Sequence, residues 1–311
     1  MEIAGSVIEV SLARLQEKGY PYRTVDARHA EELLAEIDAR RAEGQFAAEF
    51  YRERLAHYAA VTREAWPAAR TLIVLAVPAP QTRAVFHWDG RAWPVILPPT
   101  YADETRTRRG MRDLLVETLA PAGYDARLAV LPFKLAAVRS GLGAYGRNNL
   151  CYVPGMGTFH NLAAYYSDMP CPEDHWGEPR MLERCEDCQA CRRHCPTGAI
   201  PDDRFLLRAE RCLTFHNERA TDFPEWLDPA WHTCLYGCLR CQLACPEDRP
   251  FWTWAVDGAD FTEEETDLLL QAVPFEALPA ATLAKLERLE QADSSPAIFA
   301  RTLRACLCAG R

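Results

Sequence analysis

Apolar residues recur at helical spacing between about residues 27 and 65. Leu33, Leu34 and Ile37, then Phe46, Phe50 and Leu55, stand among many Glu and Arg. Gly44 marks a joint between two helices. Leu72 to Val77 is a continuous apolar run that stops at Pro78, the pattern of a strand buried on both faces. Ala84 to Leu97 reads as a hairpin, because Asp89-Gly90 is a turn signal between aromatic and β-branched residues. Met111, Leu114, Leu115, Thr118 and Leu119 form one helical stripe, and Leu128–Leu131 and Ala163–Tyr166 are short strand candidates. Buried strands mixed with helices predict an α/β (α+β) layer domain over residues 1–170. From 171 to about 258 the texture changes to cysteine, proline and charge with little periodicity. Past that point the chain turns helical again. Thr262-Glu263-Glu264-Glu265 resembles a capping box opening a helix through Leu268–Leu270. Leu283, Leu286 and Leu289 continue the pattern after Pro274 and Pro279, and a last helix covers Pro296–Cys308 with proline in its first turn. Three segments result: 1–170, 171–258 and a short helical 259–311.

Composition changes this picture little. The 311 residues are 49% hydrophobic and 25% charged, ordinary for a soluble globular chain. The net charge of −9 lacks the electropositive balance expected when nucleic acid is the main partner. Arg106, Arg108, Arg109 and Arg112 read as a solvated helix face, and Arg192, Arg193 and His194 as a charged rim. Met1–Gly5 offers no basic leader, and the run from Leu72 to Ala79 is too short to span a membrane.

Cysteine usage changes it a great deal. Cys185-x₂-Cys188-x₂-Cys191-x₃-Cys195-Pro196 is followed by an isolated Cys212 and then by Cys238-x₂-Cys241-x₃-Cys245-Pro246. The first run has the spacing by which bacterial-type ferredoxins hold iron–sulfur clusters, and the second repeats its last three cysteines. Three thiolates three residues apart on a tight loop reach three corners of one cubane. The cysteine before proline points to the neighbouring cluster. Eight ligands make two 4Fe–4S clusters, and hence an electron-transfer function. Structural zinc is the rival, but it favours separated C-x₂-C pairs over four cysteines within eleven residues. An odd count of thirteen cysteines in a long chain argues against a disulfide framework and for a reducing compartment, with the cytoplasm as default.

Upstream lies a second constellation, Arg139-Ser140-Gly141-Leu142-Gly143-Ala144-Tyr145-Gly146-Arg147-Asn148-Asn149, running on to Val153-Pro154-Gly155-Met156-Gly157-Thr158-Phe159. It satisfies G-x-G-x-x-G, yet a dinucleotide fingerprint should follow a strand and open a helix. Here Phe133–Arg139 reads as helix and the glycines lead into an extended stretch. Nicotinamide binding, a plain structural loop and a loop around another large cofactor stay open, the last being preferred.

Lys134-x-x-Ala137-Val138-Arg139-Ser140-Gly141-Leu142-Gly143, Tyr145-Gly146-x-Asn148-Asn149, Pro154-Gly155-x-Gly157-x-Phe159 and the eight cysteines in this order resemble the epoxyqueuosine reductase family. Its members are cobalamin-dependent iron–sulfur enzymes related to reductive dehalogenases. The resemblance covers roughly residues 70–255. It implies an α/β cobalamin-binding domain, then a bacterial ferredoxin-like double-cluster domain, then the short helical C-terminus. By similarity Cys185, Cys188, Cys191 and Cys245 would hold one cluster, and Cys195, Cys212, Cys238 and Cys241 the other, with Cys234 competing with Cys212. The corrinoid would sit against Lys134, Gly141, Gly143, Gly146, Arg147, Asn148, Asn149, Met156 and Phe159.

Three departures qualify what is implied. The family's proton-donating aspartate stands fourteen residues before the first of these glycines, and that count reaches Arg127, with Asp125 two residues away. An arginine of the family is Lys134 here, which keeps charge but loses bidentate geometry. Only about fifty residues remain in the C-terminal segment 259–311, where family members carry helical repeats that grip tRNA. With the net charge, this makes tRNA an unexpected partner. Asp125 and Tyr145 are the candidate proton donors. His160 and His216 lie near the predicted cofactor face, and His216 reads as a packed histidine. The expected function is an oxidoreductase reducing a small organic substrate at cobalamin, fed by a ferredoxin- or flavodoxin-type donor. An electron-transfer or corrinoid-reactivating protein and a true epoxyqueuosine reductase are the alternatives.

Overall fold

The computed structural model describes residues 8, 12–60, 66–102 and 104–309. Met1–Gly5 and residues 61–65, the end of the predicted helical stretch, lie outside the described residues. The strands are β1 (Tyr22–Asp26), β2 (Thr71–Pro78), β3 (Gln81–Trp88), β4 (Arg91–Leu97), β5 (Ala126–Leu128), β6 (Ala144–Tyr145), β7 (Cys151–Tyr152), β8 (His160–Ser167) and β9 (Ala255–Phe261). The chain divides into two compact units: residues 1–78 with 105–188, and residues 79–104 with 189–311. The sequence placed boundaries near 170 and 258. The chain divides elsewhere because the β3–β4 hairpin pairs with β9 and so belongs with the cysteine segment.

In the first unit β1, β2, β8 and β5 form one sheet in that order, each pair antiparallel. Seven of the eight β2 residues and all eight of β8 are buried, as the unbroken apolar run of β2 predicts for a strand covered on both faces. Helices α1 (His29–Ala42), α2 (Ala48–Arg54), α3 (Glu104–Leu119) and α4 (Phe133–Arg139) accompany this sheet. The α3 stripe Met111, Leu115 and Leu119 packs with Ile73, Leu75 and Val77 of β2 and with Ala163 and Tyr165 of β8. Each such fully buried aliphatic side chain contributes roughly 1.5–3 kcal/mol. The strand expected at Leu128–Leu131 is shorter. Ala129 N still donates to Ala164 O, but the chain then turns toward Pro132, which caps α4.

The second unit is built on β4–β3–β9, in which β3 and β9 run parallel. Asp89 (φ 53°) and Gly90 (φ 67°) both take the left-handed conformation, the demand of a two-residue type I′ hairpin. Short helices α5 (Ala190–His194) and α6 (Leu213–Asn217) lie in the cysteine segment, and α7 (Glu263–Leu270), α8 (Ala280–Arg288) and α9 (Pro296–Ala309) follow. The capping box forms in full: Glu265 N donates to Thr262 Oγ1, and Thr262 N donates to Glu265 Oε2. Phe86 stacks on Phe261 at 4.7 Å, and Phe299 of α9 meets Phe86 edge-on at 6.3 Å. The C-terminal helices are thus part of this unit's core, joined to the hairpin through Leu97, Leu235, Leu286 and Leu303. No helix among the described residues is long and apolar enough to cross a membrane.

Candidate metal centre

The glycine loop begins as a helix terminator. Gly141 N donates to Val138 O and Leu142 N to Ala137 O, the paired bonds of a Schellman motif. Gly141 occupies the left-handed position of that motif at φ 68°, with open space where a Cβ would stand. Gly143 and Gly146 serve another purpose. A Cβ on Gly143 would stand 2.6 Å from Cys151 Sγ and from Tyr152 O, and one on Gly146 would strike the Tyr152 ring and Asn148 Oδ1. Both glycines let the loop close on its own β6–β7 hairpin. Asn148, 2% exposed, donates from Nδ2 to Tyr152 OH and locks that closure. Lys134 Nζ reaches Asn149 O at 3.3 Å, tying α4 to the loop tip.

Arg147 links this loop to the first cysteine motif. Its backbone N–H donates to Cys185 Sγ at 3.4 Å, its Nε to Cys188 O at 3.1 Å, and its Nη2 to Cys185 O and Glu186 O. An N–H aimed at a cysteine sulfur is one means by which proteins tune cluster potential. Cys185 and Cys188 belong to the first unit, and Cys191 and Cys245 to the second.

Within the second unit Cys195, Cys212 and Cys238 are close enough to feel one another's charge. Burial pushes the Cys212 thiol up, and it pushes Cys238 up to about 12, with the Cys234, Cys212 and Cys195 thiolates adding to it. Buried sulfurs with no cation beside them stay protonated at neutral pH. Cationic iron would supply the missing charge, and loading it would release protons. Cys195 Sγ lies 3.4 Å from Thr197 Oγ1, and the Thr214 hydroxyl and backbone face Cys212. Cys234 is 1% exposed and also acts on Cys238; Thr233 Oγ1 lies 3.6 Å from its sulfur, and Cys306 Sγ donates to its carbonyl at 3.2 Å. All thirteen cysteines are free thiols. Among the described residues no three His, Cys, Asp or Glu gather as ligands of one metal ion. A cubane presents a separate iron to each thiolate, so its ligands need not converge on a point. The donor set of eight motif thiols fits two such clusters.

The other predicted residues divide by burial. Gly143, Gly146, Asn148, Met156 and Phe159 are buried, whereas Lys134, Gly141, Arg147 and Asn149 keep partial or full exposure and can meet a ligand. Leu128 and Val130, each 41% exposed, add apolar surface in the same unit, of the kind a macrocycle would cover. Tyr145 is buried, and burial pushes its phenol upward, so it holds its proton firmly. Asp125 lies near the surface, its Oδ2 3.3 Å from Arg127 Nε, while the Arg127 guanidinium stacks over Trp66. His160 is buried with Nε2 3.1 Å from Cys151 O, and burial lowers it to about 4, which makes it neutral. His216 packs with Nε2 2.9 Å from Glu210 O. Trp252 donates from Nε1 to Gln242 O, beside Cys241. Sequence reasoning missed Asn161, whose buried amide has no hydrogen-bond partner among the described residues, and also Asn217 and Arg301. Their one signal was polarity at positions the fold buries.

Residues 184–248 match the family model described as a 4Fe-4S double cluster binding domain. The epoxyqueuosine reductase of Salmonella typhimurium is 35% identical over 127 residues, which are 40% of this chain and 31% of that protein. The Staphylococcus aureus epoxyqueuosine reductase is 32% identical over 120 residues, 39% of this chain and 30% of that one. The matched segment therefore spans about a third of the length of these curated relatives. Among solved structures, an epoxyqueuosine reductase with a tRNA-Tyr epoxyqueuosine-modified stem loop superposes with a TM-score of 0.68 at 18% identity, covering 98% of this chain and 82% of that one. The Streptococcus thermophilus epoxyqueuosine reductase superposes at 0.61 with 20% identity, covering 99% and 82%. At such identity the likeness shows the fold. The expectation against tRNA is corrected by these findings, since a structural relative holds a tRNA stem loop. A net charge of −9 does not exclude such a partner, because phosphate contacts are local, and Arg106, Arg109 and Arg112 are exposed on α3.

Proposed function

We propose that this chain, which belongs to the epoxyqueuosine reductase-like family of double-cluster iron–sulfur proteins, is an oxidoreductase delivering electrons to a bound cobalamin for reduction of an organic substrate. The observation that carries the reading is Arg147, which belongs to the predicted cofactor loop and bonds the Cys185–Cys188 turn through its backbone and side chain. A change at the cluster motif is thereby felt by the loop. Cys185, Cys188, Cys191 and Cys245 hold one cluster, and Cys195, Cys212, Cys238 and Cys241 the other. A reduced cobalamin supplies a strongly nucleophilic cobalt centre. Lys134, Gly141, Arg147 and Asn149 bind and orient it, and the buried Asn148, Met156 and Phe159 keep the loop rigid beneath. Asp125 would serve as proton donor only after leaving Arg127 and taking up a proton from solvent, and Tyr145 holds its proton as part of the packing. Electrons enter from an external ferredoxin- or flavodoxin-type carrier.

Two substrate readings follow from two observations. Arg127 at the position of the family's acid favours a small molecule whose reduction needs no strong general acid. The curated epoxyqueuosine reductases, and a structural relative solved with an epoxyqueuosine-modified tRNA stem loop, favour epoxyqueuosine presented on tRNA. Anaerobic reconstitution, with iron counting and cobalamin titration, tests the shared core: about eight irons and one cobalamin per chain are expected. Iron without any cobalamin affinity refutes delivery to a corrinoid. Restoration of queuosine in a reductase-deficient strain selects the tRNA substrate, and failure to restore it selects the small molecule.

A further inference from the structure

The last helix reaches back into the cysteine segment at two points. Arg301 of α9 donates from Nη2 to His216 O at 2.9 Å and to Asn217 O at 3.3 Å, and from Nη1 to Thr221 O. Its guanidinium lies 4.1 Å over the Phe223 ring. One turn and a half later, Cys306 Sγ donates to Cys234 O. His216 and Asn217 end α6, the helix that Cys212 opens. Asn217 is 0% exposed and donates from Nδ2 to Gly237 O at 2.9 Å, immediately before Cys238. Gly237 has φ 64° and lies so close to the Tyr101 ring that a Cβ there would stand 2.6 Å from it. Asn217 Oδ1 and Arg301 Nε are buried without a hydrogen-bond partner among the described residues.

A chain of direct bonds therefore runs from α9 through Arg301 to Asn217 and on to Gly237. It spans two thiols that the proposed function gives to one cluster, Cys212 and Cys238. Two physical effects follow. Asn217 fixes the separation of the segments carrying these thiols, because a fully buried amide with one bonded donor has little freedom to shift. Arg301 holds a positive charge beside the helix that Cys212 opens; its three accepting carbonyls are uncharged, and Asp222 and Arg219 are the charged groups that act on it. Reduction adds a negative charge to a cluster, and a nearby cation favours the more negative state, as do N–H groups directed at the sulfurs.

We infer that Asn217 and Arg301 are positioning residues that set the reduction potential of the second cluster, which makes the C-terminal helix part of that cluster's cage. The inference rests on the ligand set Cys195, Cys212, Cys238 and Cys241. The two failures are distinguishable, because the iron counts of Cys212→Ser and Cys234→Ser report on the ligand set alone. The opposed charges in the region do not supply this function: Arg192 pairs with Asp202, and Arg208 with Asp203. Arg219 stacks over Phe215 of the same helix, while Arg301 is the cation whose side chain bonds the carbonyls of His216 and Asn217 that end it.

The test is anaerobic EPR-monitored redox titration of the full chain carrying both clusters. Arg301→Gln removes the charge and most of the fork. It is expected to move one of the two midpoints to more negative potential, with a changed line shape for that signal, and to leave the other midpoint in place. Arg301→Lys restores charge and is expected to bring the midpoint part of the way back. If Arg301→Gln fails to load iron, Asn217→Ser is the second variant. It keeps a small polar group that cannot reach Gly237, and is expected to perturb the same single signal. Two midpoints unchanged in an iron-replete variant, or two shifted equally, overturn the inference and leave α9 as a brace of the fold alone.

Discussion

Gly143→Ala separates two reasons for a glycine, the loop's own closure and the approach of a cofactor. The new methyl would stand 2.6 Å from Cys151 Sγ and 2.6 Å from Tyr152 O, and the second contact is backbone that cannot swing aside. Overpacking of this kind costs roughly 1–3 kcal/mol. Gly143 lies outside the left-handed region, so alanine suffers no conformational penalty there. It also loses less entropy on folding, which returns about 0.4–1 kcal/mol. The net loss is about 1–2 kcal/mol, on the order of tenfold in the folding equilibrium. Gly141→Ala gives a comparison with a different cause, a cost of about 1 kcal/mol from φ 68° in open space. Urea unfolding under anaerobic reducing conditions measures both, with an unchanged slope showing that only stability moved. Cobalamin titration of the folded variants completes the assay, and affinity within about a factor of two of wild type is expected for Gly143→Ala. An unchanged urea midpoint together with cobalamin binding weakened about tenfold or more would refute this account of Gly143, and would assign the glycine to the cofactor.

Three further outcomes are expected. Arg147→Ala removes side-chain bonds to Cys188 O and Cys185 O. Discounted for partial exposure, it costs about 2 kcal/mol, read as iron release to a chelator roughly tenfold faster. Cys212→Ser lowers the iron count from about eight to about four, while Cys234→Ser leaves it near eight, as the proposed ligand set with Cys212 requires; the reverse pattern in anaerobic iron assays exchanges the two assignments. Burial raises the Glu265 carboxyl, but bonds from Lys285, Thr262 N and Thr282 outweigh it and hold the group below its usual 4.5. A lowered folded value means stability that is present above about pH 4.5 and is lost as pH falls through that lowered value. Thermal melts should therefore show Glu265→Gln less stable at neutral pH by about 1–2 kcal/mol, with the gap closing in acid.

What the sequence made legible was local, and what it hid was long-range. Asp89-Gly90 and Thr262-x-x-Glu265 announced a hairpin and a helix start because two to four neighbouring residues suffice for each. The cysteine spacing was legible for the same reason. By contrast β9 gave no signal: Ala255–Phe261 buries only Ala259 and Phe261, and its partner β3 lies about 170 residues earlier. Without that pairing the hairpin looked like part of the first domain. The glycine loop was read correctly as helix, turn and extended chain. The meaning of Gly143 and Gly146, however, depends on Cys151, Tyr152 and Asn148, which spacing alone cannot place against them.

The same distinction bears on how the chemistry divides between motif and fold. The thiols proposed to bind iron are specified by spacing. Their potentials are not specified there. On the proposed ligand sets they would depend on the N–H of Arg147 at Cys185 Sγ and on the carbonyls that Arg301 grips 84 and 85 residues away. Such contacts exist only after each unit has closed around its own core. Two chains with identical cysteine spacing can therefore carry electrons at different potentials and reduce different substrates. In this chain the unsettled donor position at Arg127 and the brace from α9 are where that difference has to be measured, by redox titration of each cluster before any substrate is added.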